Sequence, residues 1–130
     1  MAVKVVDASA LAALLFGEPE AEAVAERLAG ARLAAPALLT FELASVCLVK
    51  ARRRPDQRAA LVLAFGVRRR LRVEETAVDH DAVLELAASA GLTAYDASYL
   101  WLARRLGVEL ITLDRKLAEA FRQGAEEPSQ

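Results

Sequence analysis

Four carboxylates stand where chemistry can be built. Asp7 directly follows the β-branched run Val3–Val6, and Asp114 directly follows Leu110–Leu113. Both runs read as buried strands. Both acids therefore fall on one rim of a sheet, the rim beyond the carboxyl ends of parallel strands where ligands bind. Asp96 lies in the first turn of a helix expected over Ala94–Leu106. Glu42 lies about two turns into a long helix expected to begin at Pro36. Hydroxyls stand beside two of the acids: Ser9 is two residues after Asp7, and Thr112 two before Asp114. The topology can bring the four acids together, and an oxygen-only set of this kind can capture a cation. Each acid also has a blander use. Asp7 and Asp114 can N-cap the helices that follow them, and Thr93-Ala94-Tyr95-Asp96 is a passable capping box. Glu42 fits that account least. It is embedded in Leu38-Leu39-Thr40-Phe41-Glu42-Leu43-Ala44, and a lone carboxylate in apolar surroundings is costly unless it is paired or binds a metal.

The elements that must position these residues are punctuated by Gly and Pro. After strand Val3–Val6, a helix runs from Ala8 to Phe16 and closes near Gly17. Glu18-Pro19-Glu20 opens a second helix that Gly30 stops. A short strand is expected over Arg32–Ala35, and the long helix from Pro36 breaks at Pro55. Asp56–Leu71 reads as a helix, Leu71–Glu74 as a short strand and Asp79–Ala90 as a helix stopped by Gly91. Thr93 caps the helix Ala94–Leu106, which stops at Gly107; strand Val108–Leu113 follows. Asp114 opens a last helix through Phe121. Strands alternating with helices predict a three-layer α/β/α fold around a central parallel sheet. One domain is expected over residues 1–123, with 124–130 a polar, disordered tail.

Composition bounds the function. A chain of 130 residues that is 55% apolar can bury the core of one domain, which excludes a disordered chain. One cysteine, Cys47, excludes an intrachain disulfide framework and a Cys-based zinc site, and is expected in the core. One histidine, His80, excludes His-rich ligation and is expected on a helix surface. No apolar run reaches the roughly 20 residues of a membrane span. Asp7 falls where a signal peptide would continue its apolar stretch, so a soluble cytoplasmic protein is expected. The net charge of −1 hides an asymmetry, because Lys50–Arg72 holds nine basic residues and one acid. That separation fits a polyanion on one side and a cation on the other, or two solvated helix faces. Tyr95 and Tyr99 share a helical face, and packing is their expected role.

Taken together, the four acids match a family. Val5-Val6-Asp7-Ala8-Ser9 resembles the opening motif of PIN-domain nucleases. Pro36–Val46, with Glu42 inside, looks like their second acidic motif, and Thr93-Ala94-Tyr95-Asp96-Ala97-Ser98-Tyr99 is similar to the third. Leu110-Ile111-Thr112-Leu113-Asp114 looks like the fourth, in which a hydroxyl residue stands two before the acid. The resemblance runs from about Val3 to Phe121. At this length the chain looks most like the VapC toxins of prokaryotic toxin–antitoxin pairs. It departs in one respect: family members often carry a short final strand after the last helix, and none is legible here.

The resemblance implies a Mg²⁺- or Mn²⁺-dependent endoribonuclease, with RNA as substrate, a small cognate antitoxin as partner and a homodimer as the assembly. Carboxylates and water suit such hard ions. Without a cation, clustered acids repel and some take up protons. With one, a water is activated for attack on the scissile phosphodiester. Asp7 and Asp96 would be direct ligands, with Glu42 and Asp114 completing the site. Ser9 and Thr112 would support the acids or serve as cap and packing residues. Lys50, Arg52, Arg53 and Arg54 would hold RNA phosphates, although cations at a helix C-terminus are favourable in any case. Three rivals stand beside this reading. A PIN-like module could bind RNA or a partner without catalysis. A receiver-like or phosphatase-like phosphotransfer domain would need a second acid near Asp7, where Ala8 and Ser9 stand. A DNA nuclease would share related acidic sites.

Overall fold

A computed structural model describes residues 1–126, with side chains through Gly124. Among the described residues, β1 (Val3–Val6), α1 (Ala8–Leu15) and α2 (Ala21–Leu28) lead to β2 (Arg32–Pro36). Helix α3 (Leu39–Arg53), a 3-10 turn (Pro55–Gln57) and α4 (Arg58–Leu71) lead to β3 (Glu74–Thr76). Helices α5 (His80–Ala90) and α6 (Ala94–Leu106), strand β4 (Leu110–Ile111) and α7 (Arg115–Glu126) complete the chain. This is the expected three-layer architecture.

All strand pairs are parallel, in the order β3-β2-β1-β4. The chain steps outward from β1 to β2 to β3, then returns to the far side of β1. Right-handed crossovers put these two journeys on opposite faces of the sheet. Accordingly α1 to α4 pack on one another, and α5 to α7 do likewise. The reversal leaves a switch point between β1 and β4, the place where open α/β sheets bind ligands. The core runs through both layers, with Val5, Val6, Leu11, Leu39, Leu43, Tyr99, Leu100, Ile111 and Leu117 sealed from solvent. Cys47 is buried and His80 exposed, as the sequence implies.

Several boundaries differ from the sequence expectation. Pro36 does not start the long helix; it closes β2, and α3 begins at Leu39. A residue before proline is pushed into extended conformation, so Ala35 continues the strand. Glu42 thereby moves from the second turn of α3 to the first. Strand β3 lies beyond Leu71–Glu74, past a left-handed Arg72 at φ 50°. It is an exposed edge strand paired on one side only, so no apolar run marks it. Strand β4 is shorter than Val108–Leu113, because it meets only β1. Helix α7 runs through Glu126, past the tail expected from Gly124; residues 127–130 lie outside the described residues.

Candidate active site

Asp7 and Asp114 leave β1 and β4 at the switch point. The register Val5↔Leu110, Val6↔Ile111 carries on beyond the strands, since the Asp7 N–H donates to the Ile111 carbonyl at 3.1 Å. Thr112 is thus brought beside Asp7, and its hydroxyl donates to Asp7 Oδ2 at 2.5 Å. The Thr112 hydroxyl oxygen in turn accepts the Asp114 N–H at 3.0 Å. Ser9 mirrors this arrangement: its hydroxyl donates to Asp7 Oδ1 at 2.7 Å and accepts the Leu113 N–H at 3.0 Å. The spacings Asp7-Ala8-Ser9 and Thr112-Leu113-Asp114 therefore have a physical reason. Each hydroxyl ties the Asp7 carboxylate to the backbone that presents Asp114.

The capping uses of Asp7 and Asp114 also hold, and the Thr93–Asp96 capping box forms only on its Thr93 side. Asp7 Oδ1 accepts the Ala10 N–H at 3.0 Å, and Asp114 Oδ1 the Leu117 N–H at 2.9 Å. Thr93 caps α6 by accepting the Asp96 N–H at 3.0 Å, which leaves the Asp96 carboxylate out of the cap. Capping and a cation site are compatible, because a carboxylate offers about four acceptor positions. Asp7 uses three, one of them for a helix N–H and two for hydroxyls.

All four acids line one pocket of about 600 Å³, together with Ala8, Ser9, Leu38, Phe41, Ser45, Val46, Tyr95 and Tyr99. Each acid sits at or in the first turn of a different helix (α1, α3, α6 and α7), so four positive helix ends offset part of their mutual repulsion. The offset is incomplete. Burial raises the pKa of Asp7, against hydroxyl and N–H donors that lower it, and the Asp96 charge adds to the rise. Burial also raises Glu42, with Tyr99 opposing and the charges of Asp96 and Asp7 reinforcing it. Asp96 is raised by burial and by the Asp114 charge. The acids act as one electrostatic unit.

The donor chemistry fits a hard divalent cation, since oxygen is the only ligand type on offer. Among the described residues no three Asp, Glu, His or Cys side chains form a ready-made ligand cluster. Mg²⁺ does not require one: it keeps several waters and takes one or two carboxylates.

Two positioning residues were not visible in the sequence. Tyr99, expected only to pack, is buried and donates its hydroxyl to Glu42 Oε1 at 2.7 Å. That is how an acid in apolar surroundings is satisfied. Glu75, at the end of β3, accepts the Thr40 N–H at 3.1 Å and the Thr40 hydroxyl at 2.8 Å. It supplies the cap that Leu38 cannot give α3. Only the fact that Glu42 lacks a partner in its own segment hinted at Tyr99; nothing hinted at Glu75. Tyr95, also expected to pack, is instead exposed.

The basic residues lie apart from the pocket. Lys50 is about 12 Å along α3 from Glu42 and pairs with Glu18 at 2.6 Å. Arg53 and Arg54 line a separate hollow with Phe16, Lys50, Gln57 and Leu61, and Arg52 is exposed.

Residues 4–122 match the PIN domain family, and the chain belongs to that family. It is 36% identical over 122 residues to Ribonuclease VapC3 of Pyrobaculum aerophilum, spanning 90% of this chain and 93% of that protein. It is 37% identical over 120 residues to Ribonuclease VapC9 of Mycobacterium tuberculosis, spanning 88% of each. Among solved structures, PAE2754 from Pyrobaculum aerophilum superposes with a TM-score of 0.74 at 31% identity, over 92% of this chain and 84% of that one. The Mycobacterium tuberculosis toxin VapC20, described as cleaving the sarcin-ricin loop, shares the fold with a TM-score of 0.65 at 19% identity, over 90% and 94%. Family membership removes the phosphotransfer rival. The segment after α7 lies outside the described residues, and among the described residues no helix is long and apolar enough to cross a membrane.

Proposed function

We propose that the chain is a Mg²⁺- or Mn²⁺-dependent endoribonuclease and the toxin of a toxin–antitoxin pair, held in check by a small cognate antitoxin and acting as a cytoplasmic homodimer. The observation that carries this reading is the convergence of Asp7, Glu42, Asp96 and Asp114 on one pocket at the β1–β4 switch point, in a PIN-domain chain whose relatives are named ribonucleases. When bound, the ion would supply charge compensation, an activated water and polarisation of the scissile phosphate. The chain does the rest. Ser9, Thr112 and the Ala10 N–H hold the Asp7 carboxylate with one acceptor position open. Tyr99 fixes Glu42, a residue of the pocket wall, through one carboxylate oxygen. Asp96 contributes a carboxylate that no cap occupies. The single domain runs through α7 in this reading, with Arg52, Arg53 and Arg54 steering the RNA backbone from outside the pocket.

The test is cleavage of single-stranded RNA by purified protein. Cleavage is expected with Mg²⁺ or Mn²⁺ and none in excess EDTA; activity that survives chelation refutes the metal dependence.

A further inference from the structure

Two aromatic rings stand exposed in the wall of the carboxylate pocket. Phe41 is 81% exposed and Tyr95 65%, and both line the pocket that holds the four acids. Each ring directly precedes an acid, Phe41 before Glu42 in α3 and Tyr95 before Asp96 in α6. Successive residues on a helix point about 100° apart, so an acid turned inward sets the ring before it on the rim. The supports are firm. Thr40, beside Phe41, is pinned to Glu75. The turn bearing Tyr95 is capped by Thr93, and the Tyr95 carbonyl accepts the Ser98 hydroxyl at 2.6 Å. Among the described residues no hydrogen bond or ring contact engages either aromatic side chain.

The electrostatics ask for something uncharged at this spot. Four carboxylates repel a phosphate backbone, and the cations at the end of α3 lie outside the pocket. Attraction beside the scissile bond comes from the ion, from Lys116, whose charge acts on Asp96, and from parts of the nucleotide that carry no charge. Bases are those parts, and aromatic faces hold them with little regard to sequence. We infer that Phe41 and Tyr95 are base-stacking residues, which grip unpaired nucleobases of the RNA segment whose phosphate enters the pocket. This rests on the nuclease reading above. It narrows the substrate to single-stranded or loop RNA, because a base inside a duplex cannot present its face to a side chain.

The test uses the full chain and an RNA oligonucleotide that the wild type cuts, with the cut mapped. Binding is measured with Asp96→Asn as background, in Mn²⁺, against that RNA and against copies made abasic at nucleotides flanking the cut. Phe41→Ala and Tyr95→Ala are each expected to weaken binding to intact RNA about tenfold. The same changes should have little effect on the copy lacking the base that each ring holds. Phe41→Tyr and Tyr95→Phe should restore affinity; Leu at either position should not, which separates stacking from bulk. Equal losses on intact and abasic RNA, or none, overturn the inference. So does a Phe41→Ala protein whose sedimentation shows a changed oligomeric state with RNA affinity intact, which would make the ring a protein contact. A wild type that cleaves RNA while both ring variants bind as it does leaves the nuclease reading standing and removes the stacking. A wild type that neither binds nor cleaves RNA removes both.

Discussion

The Tyr99 hydroxyl donates to Glu42 Oε1 at 2.7 Å, across 57 positions of chain. Tyr99 is buried to 1% exposure and its pKa is raised, by burial first and then by Glu42. The phenol therefore stays protonated at any working pH, a permanent donor that holds Glu42 in one orientation.

Tyr99→Phe keeps the packed ring and removes the donor. A net loss of about 1 kcal/mol is expected, or about 4 °C in Tm for a chain of this size. Cleavage should fall about 10- to 100-fold, as when a partner of a site carboxylate is lost. The donor lowers the Glu42 pKa, so its loss should also move the acid limb of the pH–rate profile to higher pH. A pH series of cleavage rates checks this; an unmoved limb would mean that Tyr99 only packs.

Asp7→Asn and Asp96→Asn should both abolish cleavage but differ in stability. The Asp7 carboxylate accepts from Ser9, Thr112 and the Ala10 N–H. An amide has only one oxygen, and its NH₂ faces a hydroxyl whose proton must turn away. Asp7→Asn should lose about 2 kcal/mol, near 7 °C in Tm. Asp96→Asn leaves the Thr93 cap intact and relieves repulsion from Asp114, so it should melt at or above the wild-type temperature without metal. Thermal melts in EDTA separate the two.

The raised carboxyl pKa values fix the sign of a pH effect. Folded Asp7, Glu42 and Asp96 hold protons more tightly than the unfolded chain does. Their contribution to stability is complete below the ordinary carboxyl range near pH 4 and is lost as pH rises through the raised values. The Tm advantage of Asp96→Asn over wild type in EDTA should therefore be larger at pH 7 than near pH 4. Mn²⁺, which needs ionised ligands, should raise the wild-type Tm more at pH 7 than near pH 4. Melts across that range test both; a Mn²⁺ gain that is constant with pH would exclude the carboxylates as its site.

Much of this was legible along the chain. Val3–Val6 and Leu110–Ile111 announce strands because their apolar, β-branched runs end in the core, where Val5, Val6, Leu110 and Ile111 are buried, and Gly17, Gly91 and Gly107 end helices because their left-handed φ suits glycine. Asp7, Asp96 and Asp114 could be placed from their positions next to those elements. Glu42 could not be placed to the turn, since Pro36 reads equally as a helix start and as a strand end. Glu74-Glu75-Thr76 stayed hidden because an edge strand with no buried side chain leaves no apolar signature.

The sequence alone determined the types of side chain and their order: acids at strand ends and helix starts, hydroxyls two residues away, no soft ligands. Those follow from local rules acting over a few residues. Only the tertiary structure decided which residues complete the site. The pairing of Thr112 with Asp7 follows from the β1–β4 register, that of Glu75 with Thr40 from β2–β3 pairing, and that of Tyr99 with Glu42 from the docking of α6 on β1 and β2, opposite the face that α3 covers. The physical reason is separation. Hydrogen bonds between groups 35 to 105 positions apart are set by how layers dock, and no local propensity encodes that.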